Sequence, residues 1–168
     1  MVSFDQYTLL PATEEHLEGI TSIYNDAIEN GIATFDTEQK SLDNRREWLH
    51  QHGPKYPVWV ALAGTEVAGW ASLSRWSDRC AYDNTAEISV YIHPEYQGKG
   101  MGRQLMKAVL EQGKQHGLHT VLSRITEGND KSIYLHNELG FNMVGVLKEV
   151  GTKFGRTLDV TMMQKMLS

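Results

Sequence analysis

The strongest constraint on how this 168-residue chain can fold is a change of period partway along it. Residues 86–92 (AEISVYI) alternate, with Ile88, Val90 and Ile92 on one face of a strand and Glu87, Ser89 and Tyr91 on the other. His93-Pro94 stops that pattern and QGKGMG (97–102) makes a turn. Met101, Leu105, Ala108 and Val109 then recur at helical spacing until Gly117. A strand that runs through a glycine turn into a helix calls for a mixed architecture.

The flanking segments extend it. YTLL (7–10) reads as a strand ended by Pro11. Thr13 is placed to cap a helix carrying Leu17, Ile20, Ile23, Tyr24, Ala27 and Ile28, which Asn30-Gly31 ends. A second helix is expected near 42–51, then two strands, 57–63 and 66–74, joined at Gly64-Thr65. After the central strand and helix come a strand at 119–126, a short helix capped by Asn129 and closed by Gly140, and strands at 142–149 and 158–167 with Gly151 and Gly155 between them. The order β-α-α-β-β-β-α-β-α-β-β predicts an α/β (α+β) fold with a mainly antiparallel start. It is not the regular alternation of a Rossmann sheet or a (β/α)₈ barrel. No repeat or linker divides residues 1–168, so one domain is expected.

Composition narrows the class. A lone cysteine, Cys80, forms no internal disulfide, no apolar run is long enough to span a membrane, and the first ten residues lack a signal-peptide pattern. The expectation is a cytoplasmic protein with no membrane partner. The net charge is −5, which argues against a nucleic-acid partner. That charge is unevenly spread: residues 1–39 hold eight acids and no Lys or Arg, while Lys99, Arg103 and Lys107 give 96–110 a charge of +3.

The basic stretch coincides with the glycine turn. Gly98, Gly100 and Gly102 allow close backbone approach, and the helix that follows opens with unpaired N–H groups and a positive dipole end. Together these suit phosphate oxygens. The spacing G-x-G-x-G is neither the dinucleotide fingerprint nor a P-loop, since Lys99 precedes Gly100 and no Gly-Lys-Ser/Thr follows.

Two motifs at this separation resemble the GCN5-related N-acetyltransferase (GNAT) superfamily. The pyrophosphate loop [Arg/Gln]-x-x-Gly-x-[Gly/Ala] stands here as Gln97, Gly100 and Gly102, and a second signature as Asn129, Ser132, Leu135-His136 and Gly140-Phe141. Within the superfamily, IYNDAI (23–28), Phe35, AYDNTAEISVYIHP (81–94), YLHNELGF (134–141), VGTKFG (150–155) and Asp159 resemble the phosphinothricin and methionine sulfone/sulfoximine acetyltransferase group. The resemblance spans nearly the whole chain. It implies a splayed, mainly antiparallel sheet flanked by helices, acetyl-CoA lying in the opening, and a homodimer.

Acetyl transfer to an amine requires removal of a proton from the ammonium, a donor for the thioester oxygen and a proton for the departing thiolate. Glu87 lies opposite the apolar face of its strand, and the resemblance implies that it is the catalytic carboxylate. His136 stands where many members of the superfamily carry a tyrosine that protonates the thiolate; an imidazole can serve as acid or base. Main-chain groups of Val90, Tyr91 and Ile92 are candidates for the oxyanion and the pantetheine arm. Gln97, Gly98, Lys99, Gly100, Met101, Gly102, Arg103, Asn129 and Ser132 are the other coenzyme candidates. Phe35, Arg75, Arg79 and Tyr82 are the acceptor candidates, an arginine being suited to a carboxylate or phosphinate. Thr157 replaces the aromatic residue that relatives often carry after K-F-G-x, which bears on the acceptor pocket. Cys80 reads as a bystander, and His50-x-His52 and His116-x-x-His119 lack the partners of a metal site. The reading is therefore of an N-acetyltransferase acting on a small amino acid-like amine. Its rivals are a protein N-acetyltransferase and a non-catalytic coenzyme A-binding regulator.

Overall fold

The alternating residues 86–92 become the middle of a twisted sheet. A computed structural model describes residues 2–4 and 6–167. In chain order the elements are β1 (Val2–Phe4), β2 (Tyr7–Pro11), α1 (Leu17–Asn30), α2 (Leu42–His50), β3 (Val58–Ala63), β4 (Glu66–Arg75), β5 (Thr85–Ile92), α3 (Met101–Gln115), β6 (Thr120–Thr126), α4 (Asp130–Glu138), β7 (Asn142–Lys153) and β8 (Arg156–Met166). Among the described residues these strands form one eight-stranded sheet in the order β1-β2-β3-β4-β5-β6-β8-β7. Every neighbouring pair is antiparallel except β5–β6, which the α3 crossover makes parallel.

The expected order from Tyr7 onward is the observed one, and β1 is an addition. Thr13 caps a short 3₁₀ turn over Glu14–His16 before α1 proper begins at Leu17. The last hairpin is longer than the sequence pattern suggests. Gly151 lies inside β7, opposite Leu158, and the two-residue turn is Phe154-Gly155, both at positive φ.

Each face of the sheet is covered by two helices. On one face Met101, Leu105, Met106 and Val109 of α3 join Leu73, Ala86, Ile88, Val121 and Ile125, with Ile133, Leu135 and Leu139 of α4 packed on the margin. On the other, Ile20, Ile23, Tyr24 and Ile28 of α1 meet Val58, Val60 and Trp70, with Trp48 and Leu49 of α2 alongside. The polar helix α2 docks through buried Arg45, whose guanidinium stacks 3.8 Å from the Trp48 ring centroid and 4.6 Å from that of Tyr24. No helix among the described residues is long and apolar enough to cross a membrane.

Candidate active site

β5 and β6 pair only over Thr85–Glu87 and Thr120–Leu122. Beyond that point β5 stays with β4 to Ile92 and β6 stays with β8 to Thr126, so the two strands separate. The gap is a cleft of about 480 Å³. Strand geometry aims alternate N–H and C=O groups of residues 88–91 into it, and Ile92 lies beyond its lining. Strand parity then divides its side chains between the two faces of the sheet. Ile88 and Ser123 belong to the α3/α4 face, and Glu87, Tyr91 and Arg124 to the α1/α2 face.

On the α4 side, Asn129 caps the helix by accepting from the Ser132 N–H at 3.4 Å. One turn on, the ring of His136 is 2% exposed and packs edge-on against Phe141 at 4.9 Å. Its Nδ1 lies 2.7 Å from the Ser132 carbonyl oxygen, which can only accept, so Nδ1 carries a proton. Burial holds the imidazole below its ordinary range against the pull of that carbonyl, so the ring is neutral. Nε2 therefore accepts, and the Ser123 hydroxyl donates to it at 2.8 Å. Ser132 Oγ also lies 3.3 Å from Nδ1. Since Nδ1 already carries its proton, a proton reaching the ring from the cleft enters at Nε2, where the Ser123 hydroxyl stands.

On the α1 side, the Glu87 carboxylate stands 3.4 Å from Arg124 Nε, and the Arg124 guanidinium lies 4.7 Å from the centroid of Trp76. Burial raises the Glu87 carboxyl above the usual carboxylate range, and the positive charge of Arg124 opposes the rise. The segment after α1 forms the next part of the wall. The Tyr24 hydroxyl donates to Asp36 and lies 3.0 Å from Thr34 Oγ1; burial and the Asp36 carboxylate push that phenol up to about 12. Buried Lys153 donates to the Thr34 carbonyl at 2.8 Å. Phe35 rests on Gly151, where an added Cβ would stand 2.1 Å from its ring. That contact explains a glycine inside β7.

The glycine turn leads into α3 beside this cleft. Gly98 (φ 77) and Gly100 (φ 80) sit in the left-handed region, and Gly100 begins α3 without a side-chain cap. The first amides of the helix are thus left for a ligand. Gly102 has no such backbone demand. It faces Leu135, Ile92 and Val90 at ordinary packing distance, and Met101 is buried in the core. Gln97 folds back to donate to the Ile92 carbonyl at 3.2 Å, Arg103 pairs with Glu138 at 2.6 Å, and Lys99 Nζ lies 5.6 Å from the Tyr96 ring centroid.

The cleft thus brings together Glu87, Val90, Tyr91, Asn129, Ser132, His136 and Phe35 from the sequence reading. Ile92 and the glycine-turn residues 97–103 are off its lining, and it does not bring in Arg75, Arg79 or Tyr82. Arg75 pairs with Asp83 at 2.7 Å beside Tyr56, and Arg79 and Tyr82 lie exposed in the loop that follows. The reason is topological: Arg75 faces Ala86, at the end where β5 and β6 are still paired and the sheet is closed. Thr157, opposite Thr152 in the last hairpin, is also off the cleft wall. Sequence reasoning missed Ser123, Arg124, Asp36 and Lys153. The signal for Ser123 is a polar residue at the core-facing parity of VLSRI, between Val121 and Ile125. Cys80 is exposed, and among the described residues no group of three or more His, Cys, Asp or Glu is placed to hold a metal.

Residues 20–141 match the model of the acetyltransferase (GNAT) family. The chain is 42% identical over 150 residues to the L-methionine sulfoximine/L-methionine sulfone acetyltransferase of Pseudomonas aeruginosa, covering 88% of this chain and 87% of the relative. It is 34% identical over 161 residues to the phosphinothricin N-acetyltransferase of Streptomyces coelicolor, covering 94% of each. The structure of yncA, a putative acetyltransferase from Salmonella typhimurium with its cofactor acetyl-CoA, matches with a TM-score of 0.94 at 36% identity, over 98% of this chain and 95% of that one. The chain therefore belongs to the acetyltransferase (GNAT) family. It is an N-acetyltransferase, and its acetyl donor is acetyl-CoA.

Proposed function

We propose that the chain, working in the cytoplasm as one catalytic domain, acetylates the primary amine of a small amino acid-like acceptor. Methionine sulfone, methionine sulfoximine and phosphinothricin are the model acceptors, as the names of its relatives suggest. The observation that carries this reading is the cleft between β5 and β6, with a carboxylate on one face of the sheet and a serine–histidine pair on the other.

The uncapped start of α3 with Gly98, Lys99 and Gly100 suits the pyrophosphate, with Gln97, Met101, Gly102 and Arg103 building the turn around it. Asn129 and Ser132 line the coenzyme side, and main-chain groups of Val90–Ile92 suit the pantetheine arm and the thioester oxygen. Phe35, rather than Arg75, Arg79 or Tyr82, forms the acceptor wall. Two protons leave the acceptor nitrogen as the N–C bond forms and the C–S bond breaks. Glu87 takes the first and releases it to solvent; its burial brings its basicity closer to what that transfer needs. The second passes through the Ser123 hydroxyl to His136 Nε2 and returns by the same route to sulfur. His136 thus acts through Ser123, as a proton store.

The assembly proposed is a homodimer. Among the described residues β7 ends the sheet with one edge unpaired, and Met143, Val144, Val146, Leu147 and Val150 are exposed along it, a surface suited to a second copy.

Thiol release from acetyl-CoA, measured with the three model acceptors and with peptides, tests the reading. Turnover of the amino acids is expected, and activity confined to peptides would overturn it. Glu87→Gln should lower kcat by about 10²–10⁴-fold while acetyl-CoA affinity holds.

A further inference from the structure

We infer that Arg124 binds the α-carboxylate of the acceptor and so restricts the enzyme to zwitterionic amino acids, as opposed to simple amines. The inference rests on the acetyl-transfer reading above and narrows its acceptor class.

Arg124 is the only Lys or Arg among the described residues lining the cleft, and it shares that lining with the carboxylates of Glu87 and Asp36. Its position is built. The guanidinium lies against the Trp76 ring, and Nε holds the Glu87 carboxylate at 3.4 Å, with the side chain about half exposed (53%). That contact occupies Nε and leaves the outer edge of the fork, the two Nη groups, suited to a planar anion. An α-amino acid carries its ammonium and carboxylate on one carbon, so a site that reads both needs an anion and a cation side by side. Glu87 and Arg124 form such a pair on the acceptor face of the sheet. The arginine also works against its neighbour, because its charge opposes the rise in the Glu87 carboxyl that burial produces. A cation that weakens the base it touches has its use elsewhere, and the acceptor's carboxylate is the chemistry that fits.

The test compares methionine sulfone with its decarboxylated analogue, 3-(methylsulfonyl)propan-1-amine, in the full-length wild type, Arg124→Ala and Arg124→Lys. Acetyl-CoA titration confirms that each variant is folded. For wild type the amino acid should be the better acceptor. Arg124→Ala should raise KM for the amino acid about 10–100-fold, the range for losing a charge-assisted bidentate contact. The fall in kcat/KM should be at least about tenfold larger for the amino acid than for the amine. Arg124→Lys should recover part of the difference. An equal fall for both acceptors, or none for either, would overturn the inference while leaving acetyl transfer standing. A wild type that acetylates neither compound would overturn the acceptor reading and this inference with it.

Discussion

A buried, neutral His136 makes acid stability readable at a single residue. In the folded chain its Nδ1–H is held by the Ser132 carbonyl, its Nε2 by the Ser123 hydroxyl, and burial keeps its pKa below the ordinary 6.5. In the unfolded chain the same imidazole titrates normally. As pH falls, the unfolded state takes up the proton first. Stability is therefore whole above pH 6.5 and is lost as pH drops from there toward the folded value. Between the two values one such proton contributes a slope of about 1.4 kcal/mol per pH unit. His136→Gln keeps an acceptor within reach of Ser123 and removes the titration. Near neutrality the variant lacks the bond to Ser132 and should be less stable by about 1–2 kcal/mol. On acidification by one unit below 6.5 the wild type should lose up to about 1.4 kcal/mol that the variant keeps, so the gap closes. Half-buried His52 adds a slope of the same sign and Glu87 one of the opposite sign, and both cancel in the difference between the two proteins. Urea unfolding at four pH values and fixed protein concentration measures the gap. A gap that stays constant with pH would refute the neutral, buried imidazole and with it the assignment of the Ser123 proton.

Two further outcomes are expected. Gly100→Val forces a β-branched residue into φ 80 at the start of α3, a strain of about 1–3 kcal/mol; calorimetric titration should show acetyl-CoA binding weakened by at least about tenfold, and unchanged affinity would remove the turn from coenzyme binding. Val144→Lys combined with Val150→Lys places two charges on the β7 edge, and light scattering should report a monomer where the wild type is a dimer; a monomeric wild type would refute the assembly.

What the sequence made legible was local. The alternation at 86–92 placed Glu87 opposite Ile88 because a two-residue period is a property of the strand itself. Asn129 was visible because an N-cap is a motif of a few residues, and the Ser132 amide it accepts from is its direct expression, whereas Ser132 itself was singled out only by the family resemblance. Where two strands stop pairing has no local signature. β5 and β6 part after Glu87 and Leu122, and that event turns Ser123 and Arg124, in an ordinary strand, into cleft residues. It also leaves Arg75 and Tyr82 at the closed end, although they lie close to Glu87 in sequence. Gly151 read as a loop residue for a similar reason. Its lack of a side chain serves Phe35, 116 positions earlier, and no window around residue 151 contains that contact. The three residues of β1 are too few to carry a period.

The parting of β5 and β6 has a consequence for how such an enzyme can change. The opening is lined from both faces of the sheet, so in the proposed reaction donor and acceptor meet it from opposite sides. In the reaction proposed above, adjacent residues of one strand answer to different reagents: Ser123 to the leaving sulfur, Arg124 to the incoming amino acid. A substitution on the acceptor side can redirect the enzyme to a new amine without touching the machinery that handles the thioester. A break in a ladder, which in most sheets would be a weakness, here separates what must be kept from what is free to vary.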